Sequence, residues 1–303
     1  MIRKKFTVES DYDGLKLQGI VYEPDGQPKG IVQLVHGMCE YKNYYEHVMQ
    51  FFVSKGYIAA GHDHRGHGES VLREEDLGWF GDGSGKAIVE DCAKVTRYLR
   101  SEYPDLPLTS YGHSMGSMVV RCCLREHDDL IDKLIVCGSP SYNPFTPPAF
   151  LLHKCITLCK GERHRSKMLD ALSTGKGAEK LKKEKGGSWL TRDEEVVAKK
   201  EADPRCAFVF TCNGFENLLN LMKYTYQKKG YQVKNPALPI HFVAGSDDIM
   251  IGDELKWFKA IEFLRGVGYE NVSGKLYEGM RHEIHNELGK EEVFEDLLRF
   301  IEG

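Results

Sequence analysis

Gly112-His113-Ser114-Met115-Gly116 places a serine between two glycines. A hydroxyl is a poor nucleophile unless a base takes its proton and the backbone pushes it into the open. A sharp strand-to-helix turn does this, and flanking glycines give such a turn room. Ser114 is therefore the candidate nucleophile. A bare five-residue match also arises by chance, with the serine at an ordinary helix start. The neighbours separate the two readings. Leu106 to Tyr111 reads as a buried strand, and Met118, Val119, Cys122 and Cys123 recur at helical spacing with Arg121 and Arg125 facing away.

A serine nucleophile needs a neutral imidazole as base and an acid to orient that imidazole. The chain order that accompanies this elbow is serine, acid, histidine. The acid should follow the strand Ile240 to Ala244, where Gly245-Ser246-Asp247-Asp248 offers two aspartates in one turn. Of the 12 histidines, only His282 and His285 lie beyond them. His282 falls just past the strand Val272 to Tyr277 and is preferred as base; His285 reads equally as a surface histidine in a charged loop. One of the two aspartates then serves to stabilise the turn. The developing oxyanion needs preorganised donors. The elbow offers the Met115 N–H, and His36-Gly37-Met38, after the strand Gly30 to Val35, offers the Met38 N–H.

His62, His64 and His67 form a rival site, because their spacing resembles the HxHxDH run of metallo-hydrolases. Gly66 stands where the aspartate belongs, and no second ligand cluster follows. The run is read as a loop packed beneath the site, a metal-dependent hydrolase is the less favoured alternative, and no metal is expected. Cys155 and Cys159 lie at i, i+4 without a partnering pair, which disfavours a zinc site.

The elements that position these residues alternate. Two antiparallel strands, Phe6 to Tyr22, precede strand Gly30 to Val35, helix Tyr44 to Phe52, strand Tyr57 to Gly61, helix Ala87 to Tyr103, strand Leu106 to Tyr111, helix Ser114 to Glu126 and strand Leu134 to Gly138. This alternation predicts an α/β fold, a mainly parallel sheet with helices on both faces. The next convincing strand begins at Ile240, far beyond a normal connection, so residues 140–235 read as an inserted, mostly helical cap. A helix start is expected at Thr191 with Glu194 as capping partner, and Lys176 to Lys185 reads as a mobile part of the cap. Helix Glu254 to Leu264, strand Val272 to Tyr277 and helix Glu291 to Ile301 complete a core of residues 1–139 and 236–303.

The chain has 303 residues, 41% of them hydrophobic, and a net charge of −4. The length suits one large core, the charge argues against nucleic acid as principal partner, and no signal peptide or membrane span is visible. Nine scattered cysteines read as reduced thiols of a cytoplasmic protein. Lys160 to Lys185 carries nine lysines or arginines against four acids. That basic lobe is either a solvated face or a transient contact for an anionic membrane surface.

His36-Gly37-Met38, Asp63 to Ser70, Gly112 to Gly116, Gly245 to Asp248 and Arg281-His282-Glu283 together resemble the α/β-hydrolase superfamily. Within it the chain is similar to the monoacylglycerol lipase and lysophospholipase branch, also labelled serine aminopeptidase-like, and to its bacterial members. The resemblance spans nearly the whole chain and implies the α/β-hydrolase fold. It places the acid on the last residue of a GxxD turn, Asp248, and the base on His282. The implied reaction is ester hydrolysis through an acyl-enzyme, without cofactor, on monoacylglycerols, lysophospholipids or similar acyl esters. Activity should rise with pH as the imidazole loses its proton. Cys39 and Tyr41 beside Glu40, and Ile249-Met250, depart from the branch and bear on substrate choice. Phe145, Phe150, Leu151, Leu152, Phe215, Leu218 and Leu219 read either as the wall of an acyl channel or as the cap's own core. The alternative on this scaffold is an aminopeptidase-type or small-ester serine hydrolase; an aminopeptidase would need acids in the cap, where Glu201 and Asp203 are the near neighbours, and a dehalogenase or epoxide hydrolase would carry aspartate in place of Ser114.

Overall fold

A computed structural model describes residues 1–303, the side chains of residues 174–176 excepted. Strands β1 (Ile2–Glu9), β2 (Lys16–Glu23), β3 (Ile31–Val35), β4 (Ile58–His62), β5 (Leu108–His113), β6 (Lys133–Cys137), β7 (Ile240–Gly245) and β8 (Val272–Tyr277) form one sheet in the order β1-β2-β4-β3-β5-β6-β7-β8. β1 pairs antiparallel with β2, and β2 antiparallel with β4; every later pairing is parallel. β3, β4 and β5 are buried along their whole length, as strands covered on both faces must be.

Side chains that alternate along a strand feed the two faces. Ile31 and Val35 enter one core cluster, and Val32 and Leu34 enter the other. Helices α2 (Ala87–Glu102), α3 (Met115–His127) and α8 (Glu254–Arg265) cover the first, through Val95, Leu99, Val119 and Ile261. Helices α1 (Glu46–Ser54) and α9 (Lys290–Glu302) cover the second, through Phe52, Val53, Phe294 and Leu297. The expected α/β architecture is therefore present, with β5 inside the sheet and Ser114 immediately after its last residue, His113.

Between β6 and β7 the chain forms α4 (Thr146–Lys160), α5 (Lys167–Lys185), α6 (Glu194–Ala202) and α7 (Cys212–Thr225). α7 packs into the main body: Phe215 and Leu221 join the same cluster as Val119, and the Cys122 thiol faces the Leu221 carbonyl. That packing corrects the expectation that Arg121 faces away. Its side chain is fully buried beneath α7, with the guanidinium 4.6 Å from the Tyr226 ring centre and 3.0 Å from Ser139 Oγ. α6 begins later than expected. Asp193, not Thr191, caps it by accepting from the N–H groups of Glu195 and Val196, while the Thr191 hydroxyl donates to the Asn286 carbonyl and accepts from the Asp193 N–H. The stretch expected to be mobile, Lys176 to Lys185, is the end of α5, with Leu181 buried. The seven apolar residues weighed as a channel wall do not form one surface. Phe145 and Leu151 are 72% and 67% exposed, whereas Phe215 is in the core.

Candidate active site

The turn at Ser114 is strained. Its φ of 52° and ψ of −117° lie where side chains other than glycine rarely sit. Packing holds it there. A Cβ on Gly116 would lie 2.1 Å from the Val35 carbonyl oxygen, and one on Gly112 would lie 2.6 Å from the Gly116 carbonyl oxygen. Only glycine lets α3 start this close to β3, and the Ser114 N–H is fixed by donating to the Cys137 carbonyl at 3.0 Å. The hydroxyl is thereby aimed off the end of the sheet while remaining partly exposed.

The structure brings Ser114, His282 and Asp248 into one hydrogen-bonded line. Ser114 Oγ lies 2.9 Å from His282 Nε2, and His282 Nδ1 lies 2.9 Å from both Asp248 carboxylate oxygens. A carboxylate accepts only, so Nδ1 carries the proton and the Nε2 lone pair faces the hydroxyl. Asp248 is buried and also accepts from the Met250 N–H at 2.8 Å. Asp247 points the other way, into an ion pair with Lys185 at 2.5 Å. Of the two aspartates in the turn, the geometry thus sets Asp248 against the His282 ring and Asp247 away from it. Trp189 covers His282, with the two ring centres 5.0 Å apart.

Met115 is the first residue of α3, and Met38 lies in the loop after β3. That loop reaches Ser114: a Cβ on Gly37 would fall 3.1 Å from the Ser114 Cβ. Neither the Met38 nor the Met115 N–H donates to another group among the described residues. The loop is shaped by Glu40, whose Oε2 accepts from the Gly37 N–H at 2.7 Å, and by Cys39, which takes a positive φ of 55°.

His62, His64 and His67 pack against one another and against His36, with ring centres 4.9 Å apart for His62 and His64 and 4.3 Å for His36 and His64. Burial pushes His62 and His67 down to about 4, and holds His36 and His64 well below the ordinary imidazole value. Four neutral rings thus fill the floor beneath the loop that carries Met38, and His36 Nε2 accepts from the His64 N–H at 3.0 Å. Around them Asp63 binds Lys42 Nζ at 2.6 Å, and the buried Arg65 binds Asp91 at 2.7 Å. The clusters that bring three ligand atoms within 4.8 Å among the described residues are different ones: His113, Cys137 and His285, and Glu90, Glu126 and His127.

His285 is no surface residue. It is fully buried, stacked on Tyr45 with ring centres 4.8 Å apart, because the loop after His282 folds inward as a 3-10 turn. The residues missed in the sequence are the polar groups behind the site: Glu40, Tyr45, His113, Lys200 and Glu283. Lys200 left one signal. It falls three and four residues after Val197 and Val196, where the helical period calls for an apolar side chain.

A family model described as Hydrolase_4, serine aminopeptidase, S33, matches residues 26–289. The monoacylglycerol lipase of Mycolicibacterium smegmatis is 27% identical over 291 residues, 95% of this chain and 93% of its own length. A thermostable carboxyl esterase from Bacillus coagulans, solved in complex with glycerol, is similar at a TM-score of 0.90 and 27% identity, covering 100% of this chain and 99% of that one. A monoglyceride lipase from Saccharomyces cerevisiae shares the fold at a TM-score of 0.74 and 20% identity, covering 100% of this chain and 95% of that one. The chain accordingly has the α/β-hydrolase fold, is a carboxylic ester hydrolase, and belongs to the serine aminopeptidase, S33, family that its motifs resemble.

Proposed function

We propose that this hydrolase cleaves acyl esters of small alcohols, monoacylglycerols foremost and lysophospholipids within the same class, through an acyl-enzyme on Ser114. The observation that carries the reading is the line Ser114–His282–Asp248 at 2.9 Å steps, built on a strained, partly exposed turn. The Ser114 oxygen attacks the ester carbonyl while His282 Nε2 takes its proton. The Met38 and Met115 N–H groups receive the oxyanion, and the imidazolium returns the proton to the departing alcohol. Water, deprotonated by the same imidazole, then releases the acid and restores Ser114. Every step uses groups of this chain, and none calls for a cofactor or metal.

Glycerol esters are favoured by what the relatives act on or hold: a monoacylglycerol in the name of one, glycerol in the crystal of another. The aminopeptidase alternative has less support, because the acids near the site are engaged by other groups or face solvent. Asp203 is committed to Arg205 at 2.8 Å and to the Tyr41 hydroxyl at 2.8 Å, and Arg205 first holds its carboxyl down to about 2. Glu201 is exposed. We read residues 140–235 as the cap over the acyl chain, and its basic stretch beside the exposed Phe145, Leu151 and Leu158 as a transient contact for an anionic lipid surface. Salt should then slow turnover of lipid-presented substrate, since exposed charges are screened within about 10 Å at 0.1 M. No helix is long and apolar enough to cross a membrane among the described residues. Nine unbridged cysteines support a cytoplasmic setting.

The test is hydrolysis of p-nitrophenyl esters from acetate to palmitate and of monoacylglycerols, by wild type and Ser114→Ala. Turnover that disappears in the variant, with an optimum at medium or long acyl chains, is expected. Cleavage of aminoacyl amides in preference to every ester would overturn the reading.

A further inference from the structure

Lys200, on α6, is 8% exposed, and its ammonium sits between two carboxylates from opposite sides of the site. It is 3.1 Å from Glu40 Oε1, in the loop that carries Met38, and it donates to Glu283 Oε1, in the residue that follows His282. Each carboxylate fixes its own loop. Glu40 Oε2 accepts from the Gly37 N–H at 2.7 Å and from the Tyr45 hydroxyl at 2.6 Å. Glu283 Oε2 accepts from the Tyr44 hydroxyl at 2.7 Å and from Asn286 Nδ2 at 2.8 Å.

The cluster balances its charge. His113 Nε2 faces the His282 carbonyl at 3.2 Å, which only accepts, so this nitrogen bears a proton. Its Nδ1 lies 2.9 Å from Tyr45 Oη, whose own hydrogen goes to Glu40, so it also bears a proton. Two carboxylates thus meet one ammonium and one imidazolium. The electrostatics agree. Burial disfavours the charge on Glu40, Lys200 and His113, yet Lys200 and His113 hold Glu40 well below the usual carboxylate range, and the carboxylates hold Lys200 and His113 above theirs.

α6 is brought to this place by neighbours of the base. The Glu283 N–H donates to the Leu190 carbonyl at 2.7 Å, Arg192 Nε binds Glu287 at 2.8 Å, and the Tyr41 hydroxyl binds Asp203 at 2.8 Å. Withdrawing α6 would leave two buried carboxylates with one cation, a costly state.

We propose that Lys200 is a positioning residue: by tying Glu40 to Glu283 it holds the oxyanion loop and the base loop in register, and makes turnover conditional on α6 being docked. The inference rests on the Ser114 acyl-enzyme reading and deepens it. Lys200 touches no reacting atom, so its removal acts on kcat and spares KM.

The experiment compares wild type, Lys200→Met and the charge-balanced pair Lys200→Met/Glu283→Gln, using p-nitrophenyl butyrate turnover, thermal melting and the rate at which a fluorophosphonate labels Ser114. Lys200→Met should lower kcat and the labelling rate by roughly tenfold to a hundredfold, the effect of a small misplacement, with KM within about twofold. The pair should melt closer to wild type and remain as slow, because neutrality returns and the tie does not. Should Lys200→Met fail to fold, the pair decides alone. Wild-type kcat and labelling in either folded variant, or recovery of rate together with melting temperature in the pair, would overturn the proposal. The labelling rate keeps the two readings apart: wild type that labels at Ser114 and cleaves no ester contradicts the substrate class, and leaves the Lys200 comparison intact.

Discussion

Asp247 and Asp248 are neighbours of the same chemistry, and their surroundings give them opposite tasks. Asp248 is buried against the His282 imidazole, whereas the Asp247 side chain is 17% exposed and paired with the half-exposed Lys185. Asp248→Asn should lower kcat by about 10⁴-fold, because the amide favours the wrong imidazole tautomer. Asp247→Asn should change it less than about twofold, since Asp247 makes no bond to His282 and its ion pair with the half-exposed Lys185 contributes little. Steady-state kinetics on the two variants checks this, and the reverse order of effects would move the acid to Asp247. The line of Ser114, Asp248 and His282 was legible in the sequence because motif and chain order restrict the serine and the histidine, and the family resemblance picks Asp248 from the two aspartates of the turn. Glu40, Glu283 and Lys200 were not, because a buried polar side chain is explained only by its partner, and Lys200 finds its partners 160 and 83 residues away.

Among the elements, the strand–turn–helix unit β5–Ser114–α3 determines the site, and the lack of a side chain at Gly116 determines the unit. Gly116→Ala puts a methyl into the carbonyls of Val35 and His36, backbone that cannot yield without moving β3 and the loop that carries Met38. We expect the variant to lose about 1–3 kcal/mol of unfolding free energy or more, and to be slow even where folded. Urea unfolding with parallel kinetics reads both, and unchanged stability would show that α3 and β3 are not held at contact. The alternating strands and helices were readable because each buries a continuous or periodic apolar set. The connection between β6 and β7 was readable only as helical. Leu169 and Leu181 are the buried apolar side chains of α5, α6 buries Lys200 instead, and α7 hides behind the fully buried Arg121, whose charge pointed the other way.

Over the whole molecule, the floor of neutral histidines makes the fold acid-sensitive. His62 and His67 are held at about 4 by burial, against 6.5 for an ordinary imidazole, and His36 and His64 are also held low. Between those values the unfolded chain binds protons that the folded chain does not, so stability is full above about pH 6.5 and is lost as pH falls toward about 4. A melting temperature that falls steadily from pH 7 to pH 4.5 is expected in scanning fluorimetry, and a flat profile would mean that these rings are charged or solvated. This floor, the elbow above it and the α6 clamp beside it converge on one oxygen atom. The most direct test of the account is to incubate the protein with a fluorophosphonate and map the adduct by peptide mass spectrometry. The adduct should sit on Ser114, block ester turnover in step with its occupancy, and be absent in Ser114→Ala. An adduct on another residue, or turnover that survives in Ser114→Ala, would contradict the account.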